Sequence, residues 1–311
     1  MGKSIVKPRA IAPGARLAVI SPASSAKAER ITRGMEALRE LGYDAVAGEH
    51  VYGRHAPYFA GTPEERIADL DAAFVDPAID AVFCTRGGYG SNYLLEDLDI
   101  DLIAANPKPL FGYSDLTTVQ TWLLDELGLV PFHGPMVAAD FAVANGVDMA
   151  SFTAAISGGL VTAGVDQGLR VLRPGRAQGV IYGGCLSILV SALGTRFAPQ
   201  TEGKLLFLED VGTKPYQVDR MLRQMVLAGK FDGVSGFIFG EMLDCVSQGA
   251  SPDLLEQVIL NVLDWFDGPI AFGLRSGHVS RGNVTLPFGL KAELIAEEKP
   301  ELRYLEPAVE V

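Results

Sequence analysis

The chain has 311 residues, 48% hydrophobic and 21% charged, which is ordinary globular usage with room for two domains or one large α/β domain. A net charge of −12 argues against nucleic-acid phosphates and anionic membranes as partners. Cys84, Cys185 and Cys245 are odd in number and widely spaced, without a CxxC pair or a Cys/His ligand spacing, which argues against a disulfide framework and a zinc site.

No segment approaches the roughly 20 apolar residues that span a bilayer. Residues 1–9 lack an apolar stretch and a small-residue cleavage site, so no secretory signal is read, and the expected location is the cytoplasm. The start Met1-Gly-Lys-Ser suggests myristoylation only superficially, because the sixth residue is Val.

In chain order, Leu17–Ile20 reads as a strand, followed by a helix with Ile31, Met35, Leu38 and Leu41 on one face and a stop before Gly42. Thr62-Pro-Glu-Glu65 is a capping box with proline at the first helical position, opening a helix through Phe74. Strand Ala81–Cys84 delivers the chain to Arg86-Gly-Gly-Tyr-Gly90. Pro109–Gly112 is next, then Ser114, then a helix with core face Leu116, Val119, Leu123 and Leu127 that Gly128 ends; Val130–Phe132 follows as a strand. Strands alternating with helices imply an α/β fold with a parallel sheet covered on both faces, and ligands bind such sheets at the carboxyl ends of strands.

Glycines interrupt weak apolar pieces over residues 158–178, which reads as a linker with a short strand at Leu169–Leu172. The expected organisation is an N-terminal domain over 1–157 and a smaller C-terminal α/β domain with a β-rich end over 179–311. In the latter, Val180–Tyr182, Lys204–Leu208 and Gly236–Gly240 read as strands, with helices to Leu193, over Pro215–Ala228 and opening at Ser251-Pro-Asp. Strands Pro269–Phe272, Val284–Pro287, Lys291–Ala296 and Leu302–Leu305 close the chain.

Ser114 stands on a tight turn between an apolar strand and an amphipathic helix, which stages a nucleophilic hydroxyl beside free backbone N–H groups. The residue two beyond it is Leu116, so GxSxG is only half met. Four histidines limit the search for a base: His50 and His55 read as surface residues, and His133 is at least as well read as structural. His278 lies in a polar glycine-rich loop of the kind that carries catalytic groups. Glu209 ends a buried strand, either as a cap for the next turn or as the acid that orients the base; Asp210 should face the other way. Oxyanion donors are sought at Asp115 N–H and in the glycines after Arg86, which otherwise form a plain turn or a phosphate cradle. The Asp115 side chain alternatively serves as a helix first-turn carboxylate.

Nine segments in order resemble the L,D-carboxypeptidase family of serine peptidases, which includes murein tetrapeptide carboxypeptidases and microcin self-immunity proteins. They are Val19-Ile-Ser-Pro-Ala23, Tyr58-Phe-Ala-Gly-Thr-Pro-Glu-Glu-Arg66, Arg86-Gly-Gly-Tyr-Gly90, Phe111-Gly-Tyr-Ser-Asp-Leu-Thr117, His133-Gly-Pro-Met136, Gly183-Gly-Cys-Leu-Ser187, Leu208-Glu-Asp210, Pro215-Tyr-Gln-Val-Asp-Arg-Met221, and Gly277-His278 with Val284-Thr-Leu-Pro287. The resemblance implies a Ser114–His278–Glu209 triad, oxyanion donors at Gly88 and Asp115, and a Rossmann- or flavodoxin-like N-terminal domain. It also implies a metal-independent, cofactor-free, cytoplasmic and commonly homodimeric enzyme that releases terminal D-alanine from murein tetrapeptides. Arg86 is the expected partner of the substrate carboxylate. Many relatives carry Glu where this chain has Thr213. The alternatives are a microcin-immunity hydrolase acting on a peptidyl-nucleotide, a non-catalytic small-molecule binder, and a cysteine hydrolase using Cys84 or Cys185.

Overall fold

A computed structural model of the protein describes residues 3–311 apart from Gln248 and Pro252. The first half alternates as expected: β1 (Arg16–Ile20), α1 (Ala28–Glu40), β2 (Asp44–Ala47), α2 (Pro63–Val75), β3 (Ala81–Cys84), α3 (Ile100–Ala105), β4 (Leu110–Gly112), α4 (Thr117–Leu127), β5 (Phe132–His133) and α5 (Met149–Ser157). Both halves of the Thr62–Glu65 capping box are made, so two otherwise orphaned N–H groups of α2 are satisfied. On α1 the buried face is Ile31, Gly34, Met35 and Leu38, whereas Leu41 stands exposed as the C-cap. Strands β1 to β5 pair in parallel, with β1 flanked by β2 and β3. Phe83, Phe111 and Phe132 stack across β3, β4 and β5 at 4.2 and 4.7 Å. Three neighbouring buried rings, each contributing about 1.5–3 kcal/mol, hold the strand ends that carry the glycine loop and Ser114 at fixed spacing.

The second half contains β6 (Thr162–Gly164), β7 (Arg170–Arg173), β8 (Gly175–Cys185), α6 (Leu186–Ser191), β9 (Lys204–Glu209), α7 (Pro215–Leu227), β10 (Gly236–Gly240), α8 (Leu254–Val262), β11 (Ile270–Leu274), β12 (Leu286–Pro287), β13 (Lys291–Ala296) and β14 (Glu301–Tyr304). Helix α8 begins at Leu254; of its expected opening, Pro252 lies outside the described residues. The second sheet has eight strands in the order β6-β14-β13-β8-β9-β10-β11-β7. Strands β8 to β11 are parallel and lie between antiparallel edges.

Two local expectations change. The stretch read as a linker supplies both edges of this sheet, β6 against β14 and β7 against β11. Gly168, at φ 89°, turns the chain, while Val161, Ala163 and Leu169 are buried; pieces this short become strands only because the sheet offers partners. The strand expected at Val284–Pro287 narrows to Leu286–Pro287 and joins the first sheet, antiparallel to β5. The chain thus crosses back between the two sheets just after the His278 loop.

Strand β8 itself rests on α4. Tyr182 Oη donates to Asp125 Oδ2 at 2.6 Å, and Cys185 N–H donates to Thr117 Oγ1 at 3.1 Å. A Cβ on Gly184 would lie 2.7 Å from the Thr117 side chain, so only glycine permits this approach. Among the described residues no helix is long and apolar enough to cross a membrane.

Candidate active site

Strand β4 ends at Gly112, and Ser114 follows at φ 64°, a left-handed conformation that costs a non-glycine residue of order 1 kcal/mol. A short 3₁₀ turn, Ser114–Leu116, then feeds α4. The strain lifts the serine clear of the strand it follows, and Ser114 Oγ has no hydrogen-bond partner among the described residues. The loop after β3 closes over it. A Cβ on Gly87 would sit 2.8 Å from Ser114 Oγ and 3.1 Å from Asp115 N, so glycine is required for this approach.

The rest of the loop is pinned from both sides. Ser24 N–H donates to Gly87 O at 3.3 Å, and Tyr89 N–H donates to Ser24 Oγ at 3.0 Å. Gly88, at φ 102°, packs so closely on Ser24 that a Cβ would fall 2.5 Å from its Oγ. Neither the Gly88 nor the Asp115 N–H has an acceptor among the described residues. The Asp115 side chain does not serve its own helix: its Oδ2 accepts from Ser91 N–H at 2.7 Å, while Ser91 Oγ donates to Asp115 O at 2.6 Å. Burial pushes this carboxyl up, against the pull of its hydrogen bonds and of Arg66. Asp115 therefore ties the glycine loop to the serine turn.

Glu209 is the last residue of β9 and is wholly buried. Its Oε2 accepts from His278 Nδ1 at 2.7 Å and from the His278 backbone N–H at 3.0 Å. Glycines make the slot: a Cβ on Gly277 or on Gly240 would lie 2.6 Å from the glutamate side chain. Burial works against charge on both partners, yet the Glu209 charge and hydrogen bond outweigh it at His278, whose pKa is raised. The imidazole likewise outweighs burial at Glu209, whose pKa is lowered. The neighbour Asp210 faces away as strand alternation requires and performs the capping, accepting from Ser187 N–H at 2.8 Å and from Thr213 Oγ1 at 2.8 Å.

The His278 loop is clamped to the first half of the chain by residues that sequence reasoning missed. Asn283 donates through Nδ2 to Gly277 O at 3.1 Å, while its Oδ1 accepts the Gly277 N–H at 3.0 Å. The same Nδ2 reaches Asp140 Oδ1 at 3.2 Å, and Asp140 Oδ2 accepts Met136 N–H at 2.8 Å. Tyr113 Oη donates to Asp140 Oδ1 at 3.5 Å. The Tyr113 ring stands edge-on to the imidazole at 5.2 Å. Since Tyr113 immediately precedes Ser114, the imidazole of the second domain lies against the serine turn of the first. Burial pushes Asp140 up to about 6, against its bonds to Met136, Asn283 and Tyr113. An asparagine in a polar loop and an aspartate after a proline turn leave no signature of this clamp in the sequence.

The remaining predicted residues fall elsewhere. Arg86 is exposed and lines a cleft of about 330 Å³ with Lys27 and Arg30 that none of Ser114, Glu209 and His278 lines. His133 is fully buried among Phe207 and Phe288, and burial pushes it down to about 4, which makes it a neutral core residue. His50 pairs with Asp69 at 2.9 Å, and His55 is exposed. All three cysteines are buried and free. Burial pushes Cys84 and Cys185 up and raises Cys245 to about 11, which opposes the thiolate a cysteine nucleophile needs.

Comparison with known proteins agrees with this architecture. Residues 17–134 match the LD-carboxypeptidase N-terminal domain and residues 178–294 match the LD-carboxypeptidase C-terminal domain. A putative carboxypeptidase of Streptomyces coelicolor is 39% identical over 299 residues, covering 95% of each chain. A probable murein peptide carboxypeptidase of Bacillus subtilis is 36% identical over 297 residues, covering 94% of this chain and 92% of its own. The solved structure of the microcin C7 self-immunity protein superposes with a TM-score of 0.90 at 25% identity, over 98% of this chain and 100% of its own. With both domain models matched in order, the chain belongs to the L,D-carboxypeptidase family of peptidases.

Proposed function

We propose that the protein is a serine L,D-carboxypeptidase that releases the terminal D-alanine of murein tetrapeptides. The observation that carries the reading is the double grip of Glu209 on His278, held beside the turn that presents Ser114. With its Nδ1 proton bound to Glu209, the neutral imidazole offers the Nε2 lone pair as base. Ser114 Oγ attacks the L-residue's carbonyl carbon and passes its proton to His278. The oxyanion is met by the free N–H groups of Gly88 and Asp115, each typically supplying about 3 kcal/mol. His278 then gives that proton to the leaving D-alanine amine, and an acyl-ester on Ser114 remains. Water, deprotonated by the same imidazole, releases the peptide carboxylate and restores the serine. The Arg86 side chain lines a neighbouring cleft, but its loop packs on Ser114 through Gly87, and from there Arg86 is proposed to meet the substrate's terminal carboxylate. The same family reading makes the enzyme a cytoplasmic homodimer that needs no cofactor.

A second reading is a hydrolase of peptidyl-nucleotides, favoured by the fold shared with the microcin self-immunity protein, which has been solved with aspartyl sulfamoyl adenosine. Mass spectrometry of products from a murein tetrapeptide and from a peptidyl-adenylate analogue separates the two. Release of D-alanine supports the first reading, and turnover of the adenylate alone replaces it with the second. Fluorophosphonate labelling lost in Ser114→Ala distinguishes either enzyme from a non-catalytic binder, which would take no label.

A further inference from the structure

We infer that Cys185, Glu209 and His278 form an inhibitory site for a thiophilic divalent cation such as Zn²⁺, so that metal binding and catalysis exclude one another. The inhibition rests on the reading of Glu209 and His278 as catalytic; the metal binding does not. Cys185 and Glu209 are the final paired residues of the parallel neighbours β8 and β9, in direct register. In-register residues of a parallel pair project to the same face, so the thiol stands beside the carboxylate at the C-terminal edge of the sheet. His278 is hooked onto that carboxylate from the loop after β11. One sulfur, one carboxylate oxygen and one ring nitrogen consequently lie within 4.8 Å of one another.

The donor types suit zinc, which takes thiolate sulfur, imidazole nitrogen and carboxylate oxygen in tetrahedral sites. Bonds of about 2.0 and 2.3 Å place such ligands roughly 3.5 Å apart, so side-chain rotations closing the triangle by about 1 Å suffice. A second observation points to a cation. Glu209 is wholly buried, and its Oε1 has no hydrogen-bond partner among the described residues. A buried carboxylate oxygen with free lone pairs, on a side chain near a thiol and with no ammonium or guanidinium on it among the described residues, is an incomplete set of contacts that a metal ion completes.

The sulfur is held by Ser187 Oγ at 3.4 Å and by the Ile188 backbone N–H, while the Cys185 backbone is fixed by Thr117 Oγ1. Entry is from the imidazole side, where the His278 side chain keeps 20% of its surface exposed. Binding releases the thiol proton to solvent, so uptake strengthens as pH rises. Coordination takes a ring nitrogen of the base: at Nε2 it occupies the lone pair that accepts the serine proton, and at Nδ1 it displaces the proton that Glu209 holds at 2.7 Å. Sequence spacing conceals the trio, because the three donors come from three separate elements of the second domain.

Cadmium, whose thiolate complexes absorb in the ultraviolet, is the binding probe, and zinc inhibition of fluorophosphonate labelling is the functional one. Wild-type protein is expected to develop the thiolate-to-cadmium band, and its labelling rate is expected to fall at least about tenfold with zinc and recover with EDTA. In Cys185→Ala, the band is expected to vanish and zinc sensitivity, relative to the variant's own metal-free rate, to drop by about 10–100-fold. Cys185→Ser is the near-isosteric second variant should alanine impair folding, and Cys245→Ala controls for the other thiols. A wild-type protein without the band, a band that survives in both Cys185 variants, or zinc inhibition equal in wild type and variants would overturn the proposal. If even metal-free wild type takes no label, the hydrolase reading fails, while the cadmium band still decides the metal site.

Discussion

A single oxygen of Glu209 holds both the ring and the backbone of His278, at 2.7 Å from Nδ1 and 3.0 Å from the backbone nitrogen. One buried carboxylate therefore sets the tautomer of the imidazole and the position of the loop that carries it. Replacing it with an amide removes the charge and lets an NH₂ group face Nδ1, favouring the tautomer whose proton sits on Nε2. Glu209→Gln is thus expected to lower kcat by about 10⁴ while the protein stays folded. Steady-state kinetics with circular dichroism as a fold control checks this, and a loss below about tenfold would remove Glu209 from the triad.

The pH dependence follows from the same pair. Burial depresses the His278 pKa, but the Glu209 charge and hydrogen bond outweigh it, so the free-enzyme value lies above the ordinary histidine range of about 6.5. A base must be neutral, so kcat/KM should rise with pH through a midpoint above about 6.5. In Glu209→Gln the Glu209 contribution is lost while burial persists, and the residual activity should show its midpoint moved toward acid. A midpoint moved toward alkaline pH contradicts this assignment.

Gly87 is where the glycine loop and the serine touch. Its missing Cβ would lie 2.7 Å from Ser114 Cβ and 2.8 Å from Oγ. Gly87→Ala must displace Ser114 or the loop, and if Ser114 is the nucleophile as proposed, a misplacement near 1 Å costs about 10²-fold in rate. Labelling kinetics should therefore fall by about that factor in a variant whose unfolding midpoint moves little. Unimpaired labelling would show that the loop does not close on the serine.

Asp140 provides a stability test of the clamp between the two halves of the chain. Its folded pKa, pushed up to about 6 by burial, exceeds the unfolded value of about 3.9. A group with a raised folded pKa contributes stability that is fully present below the unfolded value and is lost as pH rises through the folded one. The stability of wild type relative to Asp140→Asn should consequently fall by roughly 2–3 kcal/mol from pH 4 to pH 7. Urea unfolding of the two proteins across that range measures it. A difference that stays level or grows would show that the carboxylate is ionised and well solvated in the fold.

Much of the first domain was legible because its signals are local. The Thr62–Glu65 box, the apolar run Ala81–Cys84 and the glycine stop at Gly128 each act within a few residues of themselves. The candidate catalytic groups were legible for a different reason: Ser114, Glu209 and His278 each sit where a strand ends or a polar loop begins, and the family resemblance linked them. Residues 158–178 were legible only at the short strand expected over Leu169–Leu172, which the structure has as β7. Strand β6, three residues long, is too short for a periodic pattern, and both strands exist because β14 and β11 offer free edges. The clamp of Asn283 on Asp140 was equally hidden, since its two ends are 143 residues apart.

From its order of residues alone, the chain determined which side chains stand at strand ends, which turns require glycine, and that one hydroxyl is lifted onto a strained corner. These are consequences of backbone sterics and short-range hydrogen bonding. Only the tertiary structure decided that an imidazole from the second half lies against that corner, that its carboxylate is buried, and that a thiol shares the carboxylate's face of the sheet. Those facts depend on β12 crossing to the first sheet and β8 docking on α4, contacts between segments far apart in sequence whose burial no local pattern encodes.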